Sequence, residues 1–246
     1  METKINIHIT QGKQQLPHAD FNIIIDVIRA FTVSHYAFFK GIEEIILIND
    51  IATAISLKKK YMPAITSGEI KGYKITEFDY GNSPYDLSEA TLLDKTLIQK
   101  TTNGVSVTLA SLNADHIFVT GYSNAENTIK YIQKMIDGMN KESINVNLIA
   151  SHPSGDEDIA CAEYMKFLLL NSSSKQYKKA EEETIYRILQ SEASVKFIDP
   201  NNKDFSPLDL VLCTIKKQTD FAMKIKIENK LIKIEKVQIY ESHPTH

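Results

Sequence analysis

The feature that most constrains the fold is a regular alternation of short aliphatic runs with amphipathic segments from residue 4 to about residue 170. The runs are rich in isoleucine, valine and leucine, as buried strands are. The intervening segments space apolar residues three or four positions apart, as helices that cover a sheet do. The pattern predicts an α/β protein with three layers, α/β/α, and a mixed sheet. Predicted strands are 4–9, 21–27, 44–48, 63–67, 96–101, 115–120 and 145–151, and predicted helices are 31–40, 50–60, 105–113, 124–137 and 157–170.

The character of the sequence changes near residue 171. Residues 171–183 are polar and highly charged, which indicates a surface connection that leads into a helix at about 180–191. Residues 224–240 alternate apolar and polar side chains on either side of Glu228-Asn229-Lys230, which predicts a two-stranded hairpin. We therefore expect a single domain of 246 residues in which 171–246 form a C-terminal extension.

A weak internal repeat relates the segment that begins at Asn22 to the segment that begins at Leu97, at an offset of about 72–75 residues. Each copy reads as strand, polar loop, helix, strand and helix. The copies predict two related α/β halves, 1–90 and 91–170, whose strand-end loops converge on one site, as ligand sites of open α/β sheets do. Any two strand-helix-strand units share such a pattern, however, so the likeness also arises without duplication.

Composition narrows the possible partners. The net charge is −3 and the lysines are scattered, which argues against nucleic acid, because binding to phosphate backbones needs a concentrated basic surface. No run approaches the roughly 20 apolar residues of a membrane span, so no membrane partner is expected. The two cysteines, Cys161 and Cys213, have no metal-binding spacing and are expected to be reduced thiols in a cytoplasmic protein. A small-molecule ligand is the better expectation.

Two predicted strands end in charged residues that suit an anionic ligand or a metal. Asp26 ends an aliphatic strand and Arg29 follows three positions later. A carboxylate can bind a metal, and a guanidinium suits phosphate, sulfonate or carboxylate; a structural ion pair at a helix start is an equally valid interpretation. Glu69 stands between Gly68 and Gly72, and glycines let a backbone approach a ligand closely.

Two further loops combine turn residues with polar side chains. The first holds Asp79, Asn82 and Ser83, which can bind a metal or an anion, although a plain surface turn explains them as well. The second, Thr101-Thr102-Asn103-Gly104, joins a strand to a helix. Backbone N–H groups at a helix start favour negative charge, so this loop is a candidate anion cradle or a simple N-cap.

The last candidate segment places Glu157 and Asp158 at a helix start, where acidic residues are favourable for dipole reasons alone. They also suit Mg²⁺, which prefers oxygen ligands. Asn124 follows another strand end. The nucleophile elbow GxSxG and the zinc helix HExxH are absent from the sequence. The remaining carboxylates, arginine and polar loops indicate metal-assisted chemistry on a phosphorylated or otherwise acidic small molecule.

In this order, these segments resemble the motifs of the 2-phosphosulfolactate phosphatase family over residues 20–170. The matching segments are Asp26-Val27-Ile28-Arg29-Ala30, Gly68-Glu69, Phe78-Asp79-Tyr80-Gly81-Asn82-Ser83-Pro84, Thr101-Thr102-Asn103-Gly104, Ser123-Asn124-Ala125 and Glu157-Asp158-Ile159-Ala160-Cys161-Ala162. The resemblance implies an Mg²⁺-dependent hydrolase that converts 2-phospho-3-sulfolactate to 3-sulfolactate and phosphate in coenzyme M or sulfolactate metabolism. Together with the size of the chain, it favours a homodimer.

The resemblance also implies roles for individual residues. The catalytic set is Asp26, Arg29, Glu69 and Asp79. The metal ligands or water-activating base come from Asp26, Glu69, Asp79, Glu157 and Asp158. The substrate-binding residues are Arg29, Asn82, Ser83, Thr101, Thr102, Asn103, Gly104 and Asn124.

The sequence departs from the family motifs where the family carries further polar or basic groups. Ile70 replaces an arginine, Val105 replaces a threonine, and Ser106 stands where the family usually has a basic residue. Lys71 replaces the missing guanidinium only in part, because an ammonium lacks its bidentate geometry. The alternatives are therefore a phosphatase for another small phosphorylated hydroxy acid and a non-catalytic homologue that binds a small anion.

Overall fold

A computed structural model describes residues 3–170, 176–202 and 204–240. The strands are β1 (Lys4–Gln11), β2 (Ala19–Ile25), β3 (Glu44–Leu47), β4 (Ala64–Ile70), β5 (Tyr73–Lys74), β6 (Thr96–Lys100), β7 (Ala114–Thr120), β8 (Ser143–Ala150), β9 (Phe221–Glu228) and β10 (Leu231–Gln238). The helices are α1 (Ala30–Phe39), α2 (Ile51–Lys60), α3 (Pro84–Glu89), α4 (Gly104–Ala110), α5 (Ala125–Asp137), α6 (Asp156–Leu170), α7 (Tyr177–Gln190), α8 (Glu192–Ile198) and α9 (Pro207–Thr214).

The described strands form one mixed sheet of ten strands in the order β1-β8-β2-β7-β9-β10-β3-β6-β4-β5. Two parallel groups stand on either side of the hairpin β9–β10: β1, β8, β2 and β7 on one side, and β3, β6 and β4 on the other. The hairpin pairs antiparallel with β7 and with β3, so the two groups run in opposite directions. The predicted α/β class with a mixed sheet is confirmed.

The strand order has a two-fold correspondence that follows the internal repeat. Strand β2 of the first copy lies between β7 and β8 of the second, and β6 of the second copy lies between β3 and β4 of the first. The two copies have therefore exchanged their first strands. As a result, 1–90 and 91–170 do not form separate units in the sheet.

Strands β2, β3, β4 and β6 bury both faces, as parallel strands covered by helices do. Ile23 and Ile25 of β2 belong to a core with α5 and α6, whereas Ile24 belongs to a core with Phe31 of α1 on the other face. The carboxyl ends of β2 and β6 meet at α1. There the Gln99 side-chain amide donates to the Ala30 carbonyl at 2.8 Å and accepts from the Ser34 hydroxyl at 2.7 Å.

Local signals explain several helix starts. Asp50 caps α2 by accepting from the Thr53 backbone N–H, and lysines occupy the last turn of that helix. Ser83 and Ser206 cap α3 and α9, and a proline follows each cap at the first helical position. None of the helices in the described residues combines the length and hydropathy that crossing a bilayer requires.

The predicted strands and hairpin are all present, with ends that shift by a few residues. The predicted connection 171–183 is different: 171–175 lie outside the described residues, and α7 already begins at Tyr177. Three short helices, α3, α8 and α9, were not predicted. Each spans eight residues or fewer, which gives apolar periodicity about two turns to appear in, and none directly follows an aliphatic strand as α4 does.

Candidate active site

A cavity of about 470 Å³ lies where the carboxyl ends of β2, β4, β6 and β8 converge. Residues that end or follow these strands form most of its wall, and α8 closes one side. Ligand sites in α/β proteins occupy this position at the ends of strands. The lining residues are Asp26, Ile28, Arg29, Glu69, Lys71, Gly72, Asn82, Thr102, Asn103, His152, Ser154, Gly155, Glu192, Ala193 and Lys196.

Asp26 lies at the base of α1 and is almost completely buried. Its Oδ1 accepts from the Ala30 backbone N–H at 2.8 Å, and its Oδ2 lies 3.0 Å from the Ser151 hydroxyl. Burial raises the pKa of Asp26; the bonds from Ala30 and Ser151 oppose the rise, and the charge of Glu69 adds to it. A Cβ on Gly104 would lie 2.6 Å from Asp26 Oδ2, so only glycine lets α4 approach this carboxylate.

Glu69 joins the β4 loop to the β6 loop. Its carboxylate accepts from the backbone N–H and the hydroxyl of Thr102 and from the Gly72 backbone N–H. The side chain is buried, and it lines the same cavity as Asp26. Glu69 therefore both orders the polar loop before α4 and places a second carboxylate at the cavity.

Glu157 and Asp158 lie at the start of α6, and each is only 1 % exposed. Asp158 accepts from the backbone N–H of Val27 at 2.8 Å and of His152 at 3.0 Å. Burial and the charges of Asp26 and Glu157 raise the pKa of Asp158 well above its ordinary value. Asp158 therefore holds the loop after β2 in place and does not line the cavity.

Two loop-ordering carboxylates bind backbone N–H groups at corresponding positions of the internal repeat. Asp158 accepts from the N–H of Val27, and Glu69 accepts from the N–H of Thr102, about 75 residues later in the chain. At the same offset, Asp26 caps the Ala30 N–H and the Thr101 hydroxyl oxygen caps the Val105 N–H. The ends of β2 and β6 are therefore built in the same way, with the Asp26 carboxylate as the cap after β2 and the neutral Thr101 hydroxyl as the cap after β6.

Asp79 does not line the cavity, although the family motif includes it. One of its oxygens pairs with Lys58, and the other accepts from the backbone N–H and the hydroxyl of Thr66. Burial alone would raise the pKa of Asp79, but the bonds from Lys58 and Thr66 lower it overall. The structure gives Asp79 a role in fixing the loop after β5 to β4.

We expect Asp79→Asn to change kcat/KM by less than about threefold, because the side chain is outside the cavity. The variant should lose about 1 kcal/mol of unfolding free energy at pH 7, since a charge-assisted hydrogen bond becomes a neutral one. This deficit should shrink as the pH falls through the lowered pKa, because protonation removes the same charge. Urea unfolding at several pH values and steady-state kinetics measure both effects; a large loss of activity without loss of stability would contradict this placement.

Two hydrogen bonds and two aromatic rings fix the Arg29 side chain. Its guanidinium donates to Asp209 Oδ2 at 2.7 Å and to the Gly72 carbonyl at 3.0 Å. The rings of Phe197 and Phe205 flank it, with centroids at 5.0 and 5.1 Å. These contacts leave Arg29 buried and fixed at the cavity wall.

The other predicted binding residues divide into lining and supporting groups. Asn82, Thr102 and Asn103 line the cavity, and within the described chain Asn82 Oδ1 is buried without a hydrogen-bond partner. Ser83 instead caps α3 and donates to Asp209 Oδ1 at 2.7 Å. Thr101 and Gly104 do not line the cavity: the Thr101 hydroxyl accepts from the Val105 N–H, and Gly104 packs against Asp26. Asn124 is buried away from the cavity lining.

The predicted five-carboxylate metal cluster is not assembled. Across residues 3–170, 176–202 and 204–240, no three His, Cys, Asp or Glu side chains are placed to hold a metal ion. Asp26 and Glu69 do line one cavity and interact electrostatically. Mg²⁺ is commonly bound by one or two carboxylates together with water and substrate phosphates, so this pair fits that ion.

Sequence reasoning missed the contribution of the C-terminal extension. Asp209 of α9 fixes Arg29, and Lys196 of α8 lines the cavity. The sequence Ser206-Pro207 signals a helix start, which could have revealed α9. No local signal shows that Asp209 reaches Arg29 across 180 residues of sequence.

Comparison with known proteins agrees with this arrangement. A family model described as 2-phosphosulpholactate phosphatase matches residues 7–234, which include nearly the whole described chain. This chain belongs to the 2-phosphosulpholactate phosphatase family. The resemblance of the sequence motifs to that family is confirmed, and the motif residues Asp26, Arg29, Glu69, Thr102 and Asn103 line one cavity.

Three relatives from this family show how far the likeness extends. A probable 2-phosphosulfolactate phosphatase of Bacillus subtilis is 44% identical over 95% of this chain and 99% of its own length. A protein with the same description from Caldicellulosiruptor saccharolyticus is 31% identical over 62% of this chain and 63% of its own length. One from Thermoplasma acidophilum is 30% identical over 66% of this chain and 71% of its own length. Because the Bacillus subtilis match covers 95% of this chain, it includes most of the C-terminal extension, to which Asp209 belongs.

Proposed function

We propose that this protein is a phosphoric monoester hydrolase that converts 2-phospho-3-sulfolactate to 3-sulfolactate and phosphate, with Mg²⁺ as its cofactor. The observation that carries the proposal is the gathering of family-motif residues at one cavity that mixes carboxylates with cationic and amide side chains. Carboxylates and anion-binding groups together suit metal-assisted hydrolysis of a phosphate ester.

The phosphoryl group would lie beside the loop that precedes α4. Thr102 and Asn103 line this part of the cavity. The Thr102 hydroxyl already donates to Glu69, whereas Asn103 makes no side-chain cap bond to α4. Arg29 has five N–H donors, of which the described residues engage those facing Asp209 and Gly72. Its remaining donors are available to an acidic group in the cavity, and its fixed position reduces the entropy lost on binding.

Asp26 and Glu69 are the residues that would hold Mg²⁺. The bonds that they already accept occupy only part of their lone pairs, so both carboxylates retain acceptor capacity. When bound, the ion supplies positive charge that offsets the charge of the phosphoryl oxygens. Asp26 is buried at the cavity, and we assign to its carboxylate the further role of accepting the proton of the attacking water.

The reaction forms a bond between water oxygen and phosphorus and breaks the bond between phosphorus and the ester oxygen. The proton released by water offsets the proton that the departing hydroxy acid takes up. Burial of Asp26 and Glu69 keeps bulk water from screening their charges at this point.

We expect the purified protein to release phosphate from 2-phospho-3-sulfolactate only when Mg²⁺ is present. Dialysis against a chelator should lower the rate by at least about 100-fold, and added Mg²⁺ should restore it, because loss of the ion leaves the phosphoryl charge uncompensated. The panel should include 2-phospholactate and 4-nitrophenyl phosphate. Faster release from another phosphorylated hydroxy acid would identify a different substrate, and no release from the panel with bound Mg²⁺ would favour an anion-binding role.

We also propose that the protein is a cytoplasmic homodimer that acts in sulfolactate or coenzyme M metabolism. Family membership supports the metabolic role.

The compartment and the oligomeric state have separate support. The buried free thiols of Cys161 and Cys213 suit a reducing compartment. The C-terminal helices expose large apolar side chains, among them Tyr186, Val195, Ile198 and Val211, which supports self-association. Light scattering would detect a mass of twice 27.8 kDa.

A further inference from the structure

Helix α8 brings a cationic side chain, Lys196, to the cavity from outside the motif segments named above. Glu192, Ala193 and Lys196 of this helix face the cavity together, at the spacing of one helical face. Lys196 is half-buried. It therefore belongs to the cavity wall, on a segment that sequence analysis treated as an extension.

The surroundings of Lys196 fix its position. Its ammonium lies 4.6 Å from the ring centroid of Phe205 and 5.9 Å from that of Phe197. Gly72 has a φ of +90°, and a Cβ there would lie 3.1 Å from Lys196 Nζ. Because Gly72 has no side chain, the lysine can cross the β4–β5 turn and reach the cavity.

The charge of Lys196 has no direct partner in the described part of the chain. Arg29 is paired with Asp209, but no described carboxylate lies within ion-pair distance of Lys196 Nζ. Burial and the charge of Arg29 lower the pKa of Lys196, while Glu69, Glu157 and Asp26 oppose this effect from a greater distance. A half-buried ammonium without a partner is stabilised when an anion binds beside it.

Lys71 also lines the cavity, but its side chain is exposed. An exposed lysine loses more side-chain entropy when it binds an anion than one that is already packed between rings. Lys196 is therefore the better-organised of the two ammonium groups. It stands on the α8 wall, whereas the polar loop of Thr102 and Asn103 belongs to the β6 wall.

We propose that Lys196 binds a second acidic group of the substrate, a sulfonate or a carboxylate, while the phosphoryl group lies at the loop of Thr102 and Asn103. This inference rests on the proposed phosphatase function and names a specificity-determining residue for it. Lys196 supplies positive charge to a cavity whose motif segments lack it at Ile70 and Ser106.

The test compares Lys196→Met and Lys196→Arg with the wild type on three phosphate esters. For 2-phospho-3-sulfolactate, Lys196→Met should raise KM about 10- to 100-fold and leave kcat within about threefold, because one charged hydrogen bond is lost. Lys196→Arg should recover most of this loss. Hydrolysis of 4-nitrophenyl phosphate, which has no second acidic group, should change by less than about threefold. Lys59→Met, at an exposed lysine of α2, is the matched control and should match the wild type.

A third ester, 2-phospholactate, distinguishes the two acidic groups. If Lys196 binds the carboxylate, Lys196→Met weakens binding of 2-phospholactate and 2-phospho-3-sulfolactate alike; if it binds the sulfonate, only the latter is affected. Both results support the proposal. An unchanged KM for both, or an equal loss on 4-nitrophenyl phosphate, would overturn it.

Failure of the phosphatase function is recognised separately, because the wild type would then release no phosphate from any ester. In that event, titration calorimetry with 3-sulfolactate tests the lysine directly. We expect Lys196→Met to raise Kd at least about tenfold, and equal affinities in the variant and the wild type would contradict the inference.

Discussion

Replacing Asp26 by asparagine should lower kcat/KM for 2-phospho-3-sulfolactate by about 1,000-fold. Asp26 is buried at the cavity, and both of its proposed roles, holding Mg²⁺ and accepting the proton of water, require a negative charge. Asparagine keeps the shape and the Oδ1 acceptor for the Ala30 N–H but removes that charge. Initial rates of phosphate release at saturating Mg²⁺ measure the effect.

The same variant should be at least as stable as the wild type at pH 8. Burial and the charge of Glu69 disfavour the charged form of Asp26, and asparagine removes that charge. Because the pKa of Asp26 is raised in the folded protein, any gain should disappear as the pH falls through that pKa, where the wild type also becomes neutral. Thermal unfolding measures the gain.

Asp79→Asn makes the same change in a motif carboxylate outside the cavity and is the matched control. It should retain activity where Asp26→Asn does not. If both variants turn over at near-normal rates, the carboxylate mechanism is wrong. If Asp26→Asn unfolds at a much lower temperature, its loss of activity reflects lost structure instead.

Asp209→Ala should destabilise the protein by about 3–5 kcal/mol, because it leaves Arg29 as a buried charge without its partner. Asp209 is completely buried and accepts from Arg29, from the Ser83 hydroxyl at 2.7 Å and from the Tyr85 backbone N–H at 3.1 Å. The substitution therefore also leaves the Ser83 hydroxyl and the Tyr85 N–H, at the start of α3, without their acceptor. Urea unfolding, followed by circular dichroism, measures the change.

Two further variants test whether the loss of stability comes from the negative charge of Asp209 and from its buried location. Asp209→Asn keeps an oxygen acceptor for Ser83 and Tyr85 but not the negative charge, so it should be destabilised less than Asp209→Ala. Asp204→Ala removes an exposed aspartate nearby and should change stability by less than about 0.5 kcal/mol. An Asp209→Ala protein as stable as Asp204→Ala would contradict the role assigned to the buried pair.

The strands could be predicted from the sequence because each is a short aliphatic run with a polar boundary. The region from Phe21 to Ile25 and the region from Thr96 to Gln99 are examples, and both are almost completely buried. The repeat was also visible in these segments. Its consequence, the exchange of β2 and β6 between the two copies, depends on which strands pair, and local periodicity contains no information on pairing.

The cavity was predictable in part for a similar reason. Asp26, Glu69, Thr102 and Asn103 follow or end strands, and strand ends in α/β proteins commonly meet at a site. The motif could not show that Asp79 turns toward Lys58, because the direction of a side chain in a loop depends on tertiary contacts. Nor could it show that Asp209 and Lys196, from helices of eight and seven residues, complete the wall around Arg29.

The repeat suggests how one site uses two similar strand ends for different tasks. Glu69 and Asp158 order the two loops by the same kind of bond to a backbone N–H. Between them, the cap of α1 is the charged Asp26 and the cap of α4 is the neutral Thr101. This difference places the negative charge of the caps on one side of the cavity and a neutral hydroxyl cap on the other, which suits a phosphoryl group bound beside a metal.

The most direct test of the central claim is a crystal structure of the Asp26→Asn variant with 2-phospho-3-sulfolactate and Mg²⁺. The claim is that this cavity binds the phosphorylated substrate with its phosphoryl group between residue 26 and the loop of Thr102 and Asn103. We expect density for the intact ester there, with a second acidic group toward Lys196. An ester bound elsewhere on the protein, with this cavity empty at a saturating concentration, would contradict the account.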